Sequence, residues 1–385
     1  MSWLKIDLPF KIKQPILAVA ADIKNRLCFA FHKSAFINEL INDLEIIDNF
    51  KKFKRTISLI PQRFGFSPEV IAYDKHPEYF STKFILNFLK AKNIGLIPVQ
   101  HHHAHVASCM LENKLKSQRV IGVAFDGTGF GDDSTLWGAE FLVADYQDFK
   151  RVAHLKDIPL LGGKQAIYEP WRVASAWLYL AFGDNFLDLD FSKRINKKDW
   201  MVLERMWKQN LNAPLASSMG RLFDAVASLV LGVYRVKFEA EAAINLERVA
   251  SDFKSEARSY QFKIKKMNEV FVIDPILTFR EIVADLKNER GKEEIAACFH
   301  LTVARMIKKA CLKIRDDARI NTVILTGGVF QNKILLKLSL DLLEKAGFYV
   351  LTHKILPCSD ASIGLGQAAV AAQMKTRLTS LWRAP

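Results

Sequence analysis

Val120-Ile121-Gly122-Val123-Ala124-Phe125-Asp126-Gly127-Thr128-Gly129-Phe130-Gly131-Asp132-Asp133 is an apolar strand running into a glycine-rich turn, and Leu136-Trp137-Gly138-Ala139-Glu140-Phe141-Leu142 is the strand that returns from it. About a hundred residues earlier the arrangement is already present. Pro15-Ile16-Leu17-Ala18-Val19-Ala20-Ala21 reads as a buried strand, Asp22-Ile23-Lys24-Asn25 as a turn, and Arg26-Leu27-Cys28-Phe29-Ala30-Phe31 as the returning strand. Two strand–turn–strand openings, each heading a mixed α/β stretch, are what a duplicated lobe produces. The match is one of pattern, not of residue identity. A third glycine turn, Thr326-Gly327-Gly328-Val329-Phe330-Gln331-Asn332, follows the apolar run Val323-Ile324-Leu325 and leads into a helix from Lys333. Unobstructed glycine amides ahead of a helix N-terminus can cradle a phosphate, although a tight strand-to-helix connection uses Gly-Gly equally well.

Chemistry concentrates in Gln100-His101-His102-His103-Ala104-His105, which holds four of the nine histidines. Val106-Ala107-Ser108-Cys109-Met110-Leu111-Glu112-Asn113 follows without Gly or Pro, so the segment should be helical, with His101 and His105 on one face. At that spacing two imidazoles can share a divalent metal ion, but the glutamate of a zinc protease is missing. Asp126 at the lip of the glycine turn and Asp360, just ahead of a small-residue helix, are candidate carboxylate partners; a lone Asp there is otherwise an N-cap. Two imidazoles with two carboxylates suit Fe(II), Zn or Mn better than Ca.

A chain of 385 residues exceeds what one core normally supports, so two lobes are expected. No apolar run has the length of a membrane span and the start lacks a charged-then-apolar signal, so a cytoplasmic protein without membrane attachment is expected. The five scattered cysteines form no C-x-x-C pair and read as small buried hydrophobes. The net charge of +14 resides largely in three short runs, 49–55, 192–198 and 263–266. Solvated surface is favoured over a nucleic-acid footprint, which stays open.

With these landmarks in place, the sequence resembles the C-terminal Kae1-like domain of the HypF carbamoyltransferases of hydrogenase maturation and, more distantly, the tRNA threonylcarbamoyladenosine synthases and antibiotic O-carbamoyltransferases. The resemblance runs from about residue 14 to 375 and rests on Asp74-Lys75-His76-Pro77-Glu78-Tyr79, Gln100 to His105, Phe125 to Gly129, Glu169-Pro170-Trp171-Arg172, Ser218 to Ala227 and Gly327 to Asn332.

The resemblance implies an α/β, actin-like (ASKHA) fold of two lobes built from duplicated mixed sheets flanked by helices. Lobe I would span 1–118, completed by a C-terminal helix at about 361–385; lobe II would span 119–360 with a helical insertion at about 165–315. It implies His101, His105, Asp126 and Asp360 as ligands of a divalent metal, Fe(II) or Zn. Gly127, Thr128 and Gly129 would form one phosphate loop, and Gly327, Gly328 and Asn332 another. Gly220, Arg221 and Asp224 would border the adenosine of an ATP- or AMP-type nucleotide, with Glu239 and Glu241 as weaker candidates. His76 and Arg172 would contact the carbamoyl group or a phosphate in catalysis.

The implied reaction is transfer of carbamoyl from carbamoyl-adenylate to the C-terminal cysteine thiolate of a HypE-like acceptor protein. Full HypF proteins carry acylphosphatase, zinc-finger and adenylate-forming YrdC-like domains ahead of this one, so the adenylate is expected from a separate YrdC-like protein. Transfer to a small-molecule hydroxyl or tRNA, or a non-catalytic nucleotide-binding scaffold, are the alternatives. Three positions depart from the family pattern: Ala20-Ala21-Asp22-Ile23-Lys24-Asn25 lacks a glycine, Lys164 replaces an acidic residue, and Ser359-Asp360-Ala361-Ser362 replaces a more glycine-rich loop.

Overall fold

The computed structural model describes residues 2–88 and 94–374, and the side chain of Phe88 is outside that description. The first sheet contains β1 (Trp3–Ala18), β2 (Cys28–Asn38), β3 (Val70–Asp74) and β4 (Gly95–Val99) in the order β2-β1-β3-β4. Helices α1 (Ile47–Phe64) and α2 (Phe80–Phe88) belong to this half, and α3 (His101–Glu112) follows β4. The second sheet has nine strands: β5 (Val120–Phe130), β6 (Leu136–Ala144), β7 (Phe149–Leu155), β8 (Ile158–Pro159), β9 (Leu215–Ser218), β10 (Lys263–Met267), β11 (Val270–Asp274), β12 (Thr322–Thr326) and β13 (Tyr349–Leu351). Its main path is β10-β11-β7-β6-β5-β12-β13.

The duplication shows in the pairing. β1 pairs antiparallel with β2 and parallel with β3, and β3 parallel with β4. In the second sheet β5 pairs antiparallel with β6 and parallel with β12, and β12 parallel with β13. This is the ASKHA arrangement of two related mixed sheets with flanking helices. The first hairpin is longer than its apolar run suggests, because β1 begins at Trp3 and its first half, where Lys5 and Asp7 alternate with apolar residues, pairs with the end of β2.

Both faces of β1 are covered, which explains its continuous apolar run. Ile16 and Ala18 enter the core between the sheets, whereas Leu17 and Val19 enter a separate cluster with Phe53 and Ile60 of α1. The two-residue period of a strand decides where each polar end points. Val70 and Ala72 of β3 face the central core, so Asp74 continues that face. Val120 and Ala124 of β5 do likewise, so Asp126 is aimed at α3.

The remaining helices are α4 (Gln165–Tyr168), α5 (Trp171–Phe182), α6 (Lys197–Lys208), α7 (Met219–Leu231), α8 (Glu241–Ser251), α9 (Ile276–Lys287), α10 (Lys292–Ala318), α11 (Lys333–Glu344) and α12 (Ile363–Gln373). The stretch 165–315, expected to be helical, also contributes β9, β10 and β11. Helical runs on either side hid these short strands. The basic run at 263–266 lies in β10 at the end of the sheet, where lysines discourage further strand pairing. The expected C-terminal helix is α12 up to Gln373, and residues 375–385 lie outside the described residues.

Helices α3 and α12 fill the space between the sheets. Every residue of α3 is buried, as is α12 from Ile363 to Ala371. Their approach depends on Gly366, where a Cβ would lie 1.8 Å from the carbonyl oxygen of Ala104. This contact brings the segment leading into α12, with Asp360, to the start of α3. No helix of the described residues is long and apolar enough to cross a membrane.

Candidate functional site

Gln100 caps α3, its side-chain oxygen accepting from the His103 amide at 2.9 Å, and so sets the first turn of the helix. Of its four histidines, His103 donates to the Asp145 carbonyl at 2.6 Å and His102 is buried beside Trp137, so both belong to the core. His101 and His105 turn toward the two aspartates. His105 Nε2 lies 3.0 Å from Asp126 Oδ2 and 3.6 Å from Asp360 Oδ1, and His101 Nε2 lies 3.5 Å and 3.9 Å from the same oxygens. One donor atom from each of the four residues falls within 4.8 Å of all the others.

Asp74 was not anticipated as part of this cluster. Its Oδ2 lies 2.8 Å from His101 Nδ1, and its Oδ1 accepts from the His76 amide at 2.9 Å. A proton on Nδ1 directed at Asp74 leaves the Nε2 lone pair facing the aspartates, and that buried Nε2 has no hydrogen-bond partner. Burial, the largest influence, disfavours charge on His101, yet Asp74, Asp126 and Asp360 together hold its pKa well above the usual imidazole value. Burial likewise pushes Asp126 up, but His101 and His105 hold it well below the usual carboxylate range. The cluster thus demands positive charge. Its donor set, its closeness and its orphaned nitrogen all fit a divalent cation.

Next to this cluster opens a cavity of about 510 Å³ lined by residues from both lobes. Asp126 and Asp360 form one wall, and Gly127, Thr128, Gly220, Arg221, Asp224, Gly328 and Asn332 line the remainder. The Ser218 hydroxyl donates to the Gly127 carbonyl and accepts from the Arg221 amide at 3.1 Å, which fastens the start of α7 to the glycine turn. Arg221 is 2% exposed and lies 2.8 Å from Asp224 and 3.3 Å from Glu239. Burial, aided by the charge of Glu239, pushes Asp224 up to about 6 despite Arg221. Asn332 caps α11 through the Leu335 amide at 2.8 Å and donates to His300 Nε2 at 2.9 Å.

Other expected residues lie elsewhere. Gly129 packs on the rings of His101 and His102, and Gly327, at φ +95°, lets β12 close on β5, where a Cβ would lie 2.2 Å from the Phe125 carbonyl oxygen. Neither lines the cavity. His76 stacks on Tyr79 with ring centroids 4.2 Å apart, and burial lowers its pKa. Tyr79, not His76, reaches the cavity wall. The Arg172 guanidinium is committed to Glu169 at 2.6 Å and to the Leu161 carbonyl at 3.3 Å. It borders a second cavity of about 600 Å³, whose lining residues are none of those around the first. Glu239 lines the first cavity, whereas Glu241 turns away to accept from the Lys237 amide at 2.5 Å. Lys24, Tyr79, Glu247 and Gln331 also line it; none had a role from the sequence alone, although Gln331 sits in the third glycine turn.

Two family models match the chain: the HypF Kae1-like domain over residues 11–112, and the second subdomain of the carbamoyltransferase Kae1-like domain over residues 122–367. The chain belongs to the HypF Kae1-like family. It is similar to the carbamoyltransferase HypF of Synechocystis sp., with 34% identity over 94% of this chain and 48% of that protein. It is also similar to a carbamoyltransferase HypF homolog of Cupriavidus necator, with 30% identity over 94% of this chain and 92% of that protein. Among solved structures, a full-length HypF in a phosphate- and nucleotide-bound form superposes with a TM-score of 0.90 at 37% identity, covering 96% of this chain and 47% of that one. The chain therefore spans about half the length of several curated HypF proteins it matches.

Proposed function

We propose that the chain is a metal-dependent carbamoyltransferase that passes the carbamoyl group of carbamoyl-adenylate to the C-terminal cysteine thiolate of a HypE-like acceptor in hydrogenase maturation. The observation that carries this reading is the wall shared by the His101–His105–Asp126–Asp360 cluster and the interlobe cavity. Membership of the HypF family supports the carbamoyl chemistry, and the nucleotide-bound relative supports nucleotide binding.

Fe(II) or Zn held by His101, His105, Asp126 and Asp360 would supply a Lewis acid beside the acyl phosphate. Asp74 orients His101, and the amides of Gly127, Thr128 and Gly328 with the start of α7 form a cradle for phosphate. Asp224 and Glu239 present carboxylates to the ribose side. In the transfer the acceptor's sulfur bonds to the carbonyl carbon as its bond to the phosphate oxygen breaks, and AMP leaves.

The thiolate comes from a second molecule. Burial raises the pKa of Cys28, Cys109, Cys298 and Cys311, and pushes Cys358 up to about 11, so none of them is a ready thiolate at neutral pH. The activated donor is supplied by a YrdC-like adenylate-forming protein or domain.

The test is incubation of the metal-loaded chain with carbamoyl-adenylate and a peptide ending in cysteine, followed by mass spectrometry and AMP quantification. Thiocarbamate with equimolar AMP is expected. Modification of tRNA or a small hydroxyl instead would replace the acceptor assignment, and no transfer to any of them, with metal and nucleotide both bound, would identify a scaffold.

A further inference from the structure

The segment Asp74-Lys75-His76-Pro77-Glu78-Tyr79 brings one more side chain to the cleft. Tyr79 lines the interlobe cavity together with Asp126 and Asp360, on the wall where the metal cluster meets it. Its ring packs against the core between the sheets. A tyrosine backed by apolar residues normally has its O–H paired. Tyr146 and Tyr234 donate to the Leu115 and Phe191 carbonyls at 2.8 and 2.7 Å, and Tyr260 to Asp285 at 2.9 Å. The Tyr79 hydroxyl has no such partner among the described residues, so it is free for an occupant of the cavity.

The side chain itself is held. Its ring stacks on His76 with centroids 4.2 Å apart and planes 3° from parallel. His76 is fixed in turn: its amide donates to Asp74 Oδ1 at 2.9 Å, its Nδ1 accepts from the Glu78 amide at 3.2 Å, and its ring meets Phe130 at 5.5 Å. The Tyr79 carbonyl accepts from the Lys83 amide at 2.9 Å, which ties the residue to the first turn of α2. Asp74 thus has two tasks. One oxygen orients His101 toward the aspartates, and the other sets the turn that carries the stacked rings.

We propose that Tyr79 is a catalytic hydrogen-bond donor, its hydroxyl holding the carbamoyl oxygen as negative charge builds there during transfer. This rests on the carbamoyl-transfer reading given above. As the acceptor's sulfur bonds to the carbamoyl carbon, the carbonyl electron pair moves onto the oxygen. It returns as the bond to the phosphate oxygen breaks, and AMP leaves with the bonding pair. Tyr79 keeps its proton throughout, because a phenol is protonated at neutral pH and burial pushes this one further up. A donor placed where charge develops is worth more in the transition state than before it, so its loss appears in kcat rather than KM. The first lobe would then hold the carbamoyl end of the substrate, opposite the glycine cradle of the second.

The experiment compares the metal-loaded wild-type chain with Tyr79→Phe, which removes the hydroxyl and keeps a ring to stack on His76. With carbamoyl-adenylate and a peptide ending in cysteine, Tyr79→Phe is expected to lower kcat by about 100-fold while KM for the adenylate stays within about twofold. Metal content and melting temperature should match the wild type. A second readout needs no turnover: calorimetry with AMP and with a carbamoyl-adenylate analogue whose scissile oxygen is replaced by N–H. Tyr79→Phe should bind the analogue about fivefold more weakly and AMP within about twofold, the loss of one neutral hydrogen bond. An unchanged kcat in Tyr79→Phe, or equal losses of AMP and analogue binding, would overturn the role of Tyr79. A wild-type chain that transfers no carbamoyl and binds AMP and the analogue equally would instead overturn the transfer reading itself.

Discussion

His101 Nδ1 and Asp74 Oδ2 lie 2.8 Å apart with both side chains fully buried, joining a strand end of the first sheet to the first residue of α3. The contact fixes which imidazole nitrogen faces Asp126 and Asp360. Asp74→Ala is therefore expected to weaken divalent-metal affinity by about 10- to 100-fold. Asp74→Asn, whose amide oxygen can still accept the Nδ1 proton, should lose less. Competition with a chelator of known affinity measures both, and an unchanged affinity in Asp74→Ala would remove Asp74 from the site.

Asp224 separates nucleotide binding from metal binding. It lines the cavity against buried Arg221 and does not belong to the metal cluster. Asp224→Ala should weaken nucleotide binding while metal content stays stoichiometric. It should also destabilise the fold by about 2–4 kcal/mol, because buried Arg221 loses its carboxylate partner at 2.8 Å and keeps the more distant Glu239 at 3.3 Å. Denaturant melts and metal analysis on the same preparation check the two effects, and loss of metal from Asp224→Ala would show that the sites are not separable.

His300 gives a pH signature. Burial lowers its pKa from 6.5 to about 4, and its two nitrogens are taken by the Ala296 carbonyl and the Asn332 amide. Between these values the unfolded chain binds the extra proton, so the stability His300 contributes is present above pH 6.5 and is lost as pH falls toward 4. The full span corresponds to on the order of 3 kcal/mol. Unfolding free energies of wild type and His300→Gln across this range should converge as the solution becomes acidic, whereas a constant difference would contradict a buried neutral imidazole.

Gly366→Ala tests the pairing of α3 and α12. With a Cβ 1.8 Å from the Ala104 carbonyl oxygen, the helices must separate, at a cost of about 3 kcal/mol or more. Asp360 precedes α12, so the variant should lose metal as well as stability. A thermal melt and metal content like the wild type's would mean that this close approach is dispensable.

The parts of the fold legible in the sequence were those with local signals. The paired strand–turn–strand runs exposed the duplication, and the spacing of His101 and His105 placed both on one helix face. Asp74 carried a usable signal that was not used: two-residue alternation in Val70-Ile71-Ala72-Tyr73-Asp74 puts it on the same face as Val70 and Ala72, toward α3. Arg172 and Gly129 show the converse. Both sit in distinctive motifs, but Arg172 is held by Glu169 beside another cavity and Gly129 makes room for two imidazole rings. Lys24 and Tyr79 reach the cleft because of how the lobes face each other, which no local window of sequence records.

Metal content of purified wild type, His101→Ala, His105→Ala and the double variant, measured after exhaustive dialysis alongside circular dichroism, tests the convergence of α3 and the two aspartates most directly. About one divalent ion per wild-type chain, reduced in each single variant and absent from a folded double variant, is the expected result. Stoichiometric metal retained by a folded double variant would contradict it.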